Sequence, residues 1–228
     1  MQNTTHDVGF MMYPSFGLGY RWNPPFRAVA GPIVFNTALS LAERFNPSVG
    51  CTESWSPGAH CNPRSAHAST VCPFTVIIDN MMNLEVIFFA AKAIADEHCA
   101  GCTQAQRDHL LTVANAHATT TAKNHVRPDG STHHIVCYDA ATGAEKFACA
   151  GGGYNDSSTW ARGQSWAIYG FTLSYRYTKT PLYLTTAIKT ADYWCDQVDA
   201  LFTKPPLPAA ARYVPVSLSR LSANCSAL

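Results

Sequence analysis

The chain has 228 residues, enough for one large domain or two small ones, with 47% apolar and 14% charged residues. A net charge of +1 gives no reason to expect binding to nucleic acid or to an anionic membrane surface. No stretch of about 18 apolar residues occurs, so no membrane-spanning helix is expected.

Residues 6–22 form an aromatic and glycine-rich segment with helical stretches. Residues 24–46 place Val29, Ile33, Val34, Leu39 and Leu41 at broadly helical spacing. Residues 46–71 read as a loop holding Cys51, Trp55, Pro57, Gly58 and Cys61. The stretch TVIIDNMMNLEVIFFAAK, Thr75 to Lys92, starts with apolar, β-branched residues and continues as a helix to about His98. Asp79 sits at that junction. It stands where a helix cap would stand, accepting a bond from an unpaired backbone N–H. A carboxylic acid in a dry pocket, keeping a proton for general acid work, is the other reading, and the stretch alone leaves both open.

A second helix pattern runs from Thr103 to about Asn124. RPDGSTHHIVCYDAATGAE interrupts it with two turns around a short strand, so one small β-hairpin is expected. Helices follow from Ala161 to about Thr178 and from Pro181 to about Asp199, separated by a short turn. Short loops between apolar helices predict an all-α protein of antiparallel helix pairs. Residues 201–228 are proline-clustered without a clean period, the composition of a disordered tail.

Nine cysteines favour an oxidising compartment, and their odd number leaves at least one thiol unpaired within the chain. No signal peptide is read at the N-terminus. Cys99–Cys102, CAGC, follows a helix rather than a βαβ strand, so a structural pair is expected rather than a redox or zinc motif. No GxSxG, Walker or GxGxxG motif is present. Polar groups do recur beside aromatics near helix starts: His6 and Asp7; Trp55; Asp79 and Asn80; His133 and His134; Asp156, Trp160, Arg162, Gln164 and Trp166. Singly, each fits a core or surface role. Together they fit a carbohydrate site, where rings cover a sugar and polar groups fix its hydroxyls.

HDVGFMMYPSFGLGYR, ESWSP, VIIDNMMNLEVIFFAA, HATTTAKNHVRPDGSTHHIVCYDAATG and GYNDSSTWARGQSWAIYGFTLSYRYT occur in that order. Over about residues 5–195 they resemble the unsaturated glucuronyl hydrolases, glycoside hydrolase family 88. The resemblance implies an (α/α)6 barrel of the six-hairpin glycosidase type, here a partial one. Residues 1–200 would be the partial catalytic domain and 201–228 a tail unlike the family. It implies hydrolysis of unsaturated uronyl oligosaccharides released by polysaccharide lyases, through hydration of the C4=C5 double bond.

By this resemblance Asp79 matches the general acid and base, and Asp7 the second site aspartate. His6 and His134 match substrate-site histidines. Trp55, Trp160 and Trp166 match aromatic site residues, and Arg162 a polar one. No metal or organic cofactor is implied. The partner is an unsaturated uronic-acid oligosaccharide, with no nucleic acid and no membrane, and no oligomeric state is read. An extracellular or secretory location is expected of the full-length parent. Few residues precede His6, and the tail matches nothing in the family, so a chain shortened at both ends is expected. Members often carry His-Gln where Gly151 and Gly152 stand here. The alternatives are an unsaturated rhamnogalacturonyl hydrolase, a non-catalytic carbohydrate-binding fragment, and a helical scaffold in which Asp79 is only a cap.

Overall fold

Three helix pairs carry the fold in a computed structural model of the chain, which describes residues 5–55, 61–94 and 96–203. The first inner element is α1 (Val8–Met12), a π-turn (Tyr13–Gly17) and α2 (Leu18–Trp22) in succession. Pro14 sits at the start of the π-turn, where its missing N–H interrupts the regular ladder. Helix α3 (Arg27–Ala42) returns against it. Helices α4 (Asn80–Lys92) and α5 (Gln104–Asn124) form the second pair, α6 (Ala161–Thr178) and α7 (Pro181–Thr203) the third.

The inner layer is α1–α2, α4 and α6, with α4 packed between the other two. Helix α4 is apolar nearly all round and buries Met81, Leu84, Val86, Ile87, Phe88 and Phe89, as a central helix must. The inner helices run parallel. Their starts meet around His6, Asp79 and Trp160, and their ends meet where Arg21 donates to the Tyr177 hydroxyl at 2.8 Å and Phe88 stacks on Tyr177. Helix α5 begins in a capping box in which Thr103 and Gln106 satisfy each other's backbone N–H groups. The expected helix to His98 stops at Lys92, and Arg107 donates to the Ala90 and Ile94 carbonyls, satisfying acceptors left by that helix end.

The small β-structure is larger than the single hairpin expected. Strands β1 (Phe45–Asn46) and β2 (Cys51–Thr52) form one antiparallel ladder. Strands β3 (Phe74–Ile77), β4 (Ile135–Tyr138) and β5 (Glu145–Cys149) form an antiparallel sheet in that order. The β4–β5 hairpin is the expected one. The added strand is the β-branched run before Asp79, whose partner lies far along the chain and so leaves no local signal. Disulfides Cys61–Cys149 and Cys72–Cys137 tie the preceding loop to this sheet, and Cys99 pairs with Cys102. Among the described residues Cys51 is a free thiol; it is buried, which pushes its pKa up to about 12. No helix among them is long and apolar enough to cross a membrane. Helix α7 runs through the boundary expected at residue 200. Residues 204–228 of the expected tail, and Pro57 and Gly58 of the expected loop, lie outside the described residues.

Candidate functional site at the starts of the inner helices

The sheet places the two most informative side chains. Ile77 pairs with Ile135, and the Ile78 N–H extends the ladder to the His134 carbonyl at 3.0 Å. Asp79 follows one residue later, so strand register sets its carboxylate beside the His134 ring, Oδ2 to Nε2 at 3.6 Å. The two side chains are 14% and 12% exposed.

The capping reading of Asp79 does not hold. Its backbone is already helical and its side chain makes no cap hydrogen bond. Oδ2 is buried and accepts no hydrogen bond, although buried carboxylate oxygens are normally satisfied. The neighbouring asparagines hold the helix start instead. Asn80 donates to the Thr52 carbonyl at 2.9 Å and accepts from the Ser54 hydroxyl at 3.1 Å. Asn83 donates to the His6 carbonyl at 2.8 Å. Gly9 lets α1 approach, since a Cβ there would fall 2.2 Å from Asn83 Oδ1.

Asn83 thus brings the first inner helix to Asp79. His6 is buried, its Nε2 3.3 Å from Asp7 Oδ1. Burial lowers the His6 pKa, opposed by the carboxylates of Asp7 and Asp79 and helped by the charges of Arg44 and His134. Asp7 is 57% exposed, on the open side of the cluster. Trp55 packs on His6 with ring centroids 5.6 Å apart, held by a bridge to Thr75 of β3. From the third inner helix, Trp160 packs on His134 at 4.2 Å, and the Arg162 guanidinium lies 4.3 Å from the Trp160 ring.

His6, Asp7, Trp55, Asp79, His134, Trp160 and Arg162 therefore form one connected cluster. Trp166 stands apart. It packs edge-on against Phe10, which itself meets His6, and lines an adjoining cleft of about 690 Å³ between α1, α4 and α6. Gln164, noted in the sequence beside these aromatics, is a core residue. It donates to the Gly130 and Thr190 carbonyls and accepts from the Thr132 hydroxyl. Asp156 accepts from the Ser65 hydroxyl and from the N–H groups of Ala66 and Ala150, which fixes the loop before α6. Among the described residues no three His, Cys, Asp or Glu side chains converge on a metal position.

Sequence reading missed two supports. Arg127 donates to the carbonyls of Thr132, Asp156 and Ser158 and to His133 Nδ1, joining the turn before β4 to the loop before Trp160. Asn83 is the other; its signal, like that of Asn80 already noted beside Asp79, was a polar residue inside an otherwise apolar run. Gly152, which stands where members often carry the second residue of His-Gln, also supports the site: its N–H donates to His134 Nδ1 at 2.6 Å.

No protein-family model matches the chain. It is 38% identical over 192 residues to the unsaturated glucuronyl hydrolase of Formosa agariphila, covering 84% of this chain and 42% of that protein. It is 33% identical over 174 residues to the unsaturated chondroitin disaccharide hydrolase of Streptococcus agalactiae, covering 76% of this chain and 38% of that one. A crystal structure of an unsaturated glucuronyl hydrolase specific for heparin superposes with a TM-score of 0.71 at 33% identity, over 91% of this chain and 47% of that one. The chain spans about two fifths of the length of the curated relatives it matches. Its helix pairs are built as in the α/α barrels of those structures.

Proposed function

We propose, from the chain's kinship with the unsaturated glucuronyl hydrolases of glycoside hydrolase family 88, that this site hydrates the C4=C5 double bond of unsaturated uronyl oligosaccharides. Asp79 gives its proton to C4. Positive charge develops at C5 and is shared with the ring oxygen. Water adds at C5 and returns a proton to the Asp79 carboxylate. The resulting hemiketal opens to a ketone, which leaves C1 as a hemiacetal that expels the second sugar. This path differs from attack at the anomeric carbon by a pair of carboxylates.

The observation that carries the reading is Asp79 itself: nearly buried, absent from any cap bond, with an uncommitted Oδ2 beside His134. Asp7, half open, positions the sugar and the water. His6 and His134 face the uronate ring. Trp55, Trp160 and Trp166 cover sugar faces, and Arg162 offers a cation to the substrate carboxylate. Residues 1–200 act as the catalytic unit. The disulfides Cys61–Cys149 and Cys72–Cys137 support an oxidising, extracellular setting.

The test is loss of the ultraviolet absorbance of the conjugated double bond in an unsaturated chondroitin disaccharide, with Asp79→Asn in parallel. Loss with the parent chain and none with the variant is the expected result. Turnover by both would remove Asp79 from the mechanism. Turnover only of a pectin-derived unsaturated disaccharide would move the activity to rhamnogalacturonyl substrates.

A further inference from the structure

The run from Cys149 to Gly152 is held with unusual firmness for a glycine loop. Cys149 ends β5 in a disulfide to Cys61. The Ala150 N–H donates to Asp156 at 2.9 Å, and its carbonyl accepts from the Asn62 N–H at 2.6 Å. Two residues later the Gly152 N–H meets His134 Nδ1. A backbone N–H only donates, so this Nδ1 is an acceptor and carries no proton. The neutral ring then holds its proton on Nε2, the atom 3.6 Å from Asp79 Oδ2. Space demands glycine here. A Cβ on Gly152 would lie 2.8 Å from the Trp160 ring, and one on Gly151 3.0 Å from His134 Nδ1.

We propose that the backbone N–H of Gly152 is a positioning group for the reaction, fixing His134 as the Nε2–H tautomer and aiming that proton at Asp79. The proposal rests on the hydratase reading of the site. Gly152 acts through His134. A donor on Nε2 faces Asp79 Oδ2, and the carboxyl group stays oriented while it passes its proton. The opposite tautomer would turn a lone pair towards the carboxylate and push the two groups apart.

The decisive readout is spectroscopic and needs no turnover. Long-range proton–nitrogen correlations on the chain labelled at histidine nitrogens report which ring nitrogen carries hydrogen, and His134→Gln identifies the His134 signals. The expected result is a protonated Nε2 and a bare Nδ1 in the parent chain. Gly152→Ala keeps the N–H but crowds Trp160 with a Cβ, as proline would, so it controls for the added bulk and should keep more of the Nε2–H pattern than a variant without the N–H. Gly152→Pro removes the N–H and should give a mixture of tautomers, with kcat for double-bond loss about tenfold lower and KM little changed, the scale of one lost orienting hydrogen bond. A proton on Nδ1 in the parent chain overturns the proposal, even if the disaccharide is hydrolysed. If Gly152→Pro fails to fold, the parent spectrum decides it. A fixed Nε2–H tautomer with no hydrolysis of any unsaturated disaccharide would instead sink the hydratase reading, and with it the catalytic meaning of the hydrogen bond.

Discussion

The two ends of the inner helices are both polar, but they use their polar groups differently. At the far end, the Glu85 carboxylate accepts from the Tyr169 hydroxyl and pairs with Arg21 at 3.7 Å. Arg21 in turn donates to Tyr177 and lies over Phe89 at 4.8 Å. Those groups are committed to one another. At the near end, Asp79 Oδ2 and His6 Nδ1 are buried without a hydrogen-bond partner. Leaving a buried acceptor unmet costs about 1–3 kcal/mol. Folding explains the far end, where the interactions hold helices together. It does not explain the near end, where the same kind of group is held in place by its neighbours and left available. A carboxylate that stabilises nothing is the better candidate for chemistry.

The sharpest way to break this contrast is Asp79→Asn. Loss of a general acid should lower kcat by about 10²–10⁴-fold. The melting temperature should hardly move, because no cap bond is lost. A drop of the roughly 1 kcal/mol that a lost cap entails, with turnover intact, would return Asp79 to a structural role.

Acid should separate the two ends next. His117 lies under the near end, its Nδ1 accepting from the Thr52 N–H, and His125 donates to the Val76 carbonyl of β3. Burial lowers both to about 3, with the Val76 carbonyl raising His125 slightly against it. In the unfolded chain these imidazoles take a proton near pH 6.5. Between that value and about pH 3 the unfolded state holds more protons, so stability falls as pH falls. The two together should remove up to about 2.7 kcal/mol per pH unit in that window. Hydrogen exchange at pH 5 should show β3 and β4 opening before the helix ends around Arg21 and Tyr177. Equal protection at both ends, or a flat stability between pH 7 and 5, would contradict this.

Glu85→Gln is the mirror of Asp79→Asn. It leaves Arg21 short of its charge partner in a partly buried network. Stability should fall by about 1–3 kcal/mol, seen as a melting temperature lower by roughly 3–10 °C. Activity per folded molecule should be unchanged. A large loss of kcat without a stability change would place the Glu85 cleft inside the reaction site.

Much of this was legible in the sequence. Helix pairs followed from apolar spacing and short connections, and Cys99–Cys102 from its position after a helix. The resemblance to a hydrolase family picked out seven side chains that the fold does bring into one cluster, with Trp166 one ring further away behind Phe10. What escaped was set by distance along the chain. Strand β3 needs β4 to be a strand at all, and the same ladder delivers Asp79 to His134. The question of cap or acid turned on a hydrogen bond that local sequence could not decide. Nothing local singled out Arg127, and Gly151 and Gly152 stood out only as a departure from the family's His-Gln pair. Their roles depend on carbonyls and rings contributed by other elements.

The smallest expected effect concerns the exposed edge of the near end. Arg162 lies over the Trp160 ring and is itself exposed. A cation over an aromatic face at such a site contributes about 0.5–1 kcal/mol, and none of the fold depends on it. Arg162→Ala should therefore leave the melting temperature in place. If the guanidinium meets the substrate carboxylate, KM for the unsaturated disaccharide should rise a few-fold, the scale of about 1 kcal/mol, with kcat nearly constant. Arg162→Lys should recover part of that KM, since charge is kept while the flat stack on Trp160 is lost. The difference between these two variants separates recognition by charge from recognition by a ring-stacked plane. Unchanged KM in both would confine Arg162 to the surface and shift binding of the carboxylate inward, to His6 and His134, where the near end keeps its uncommitted groups.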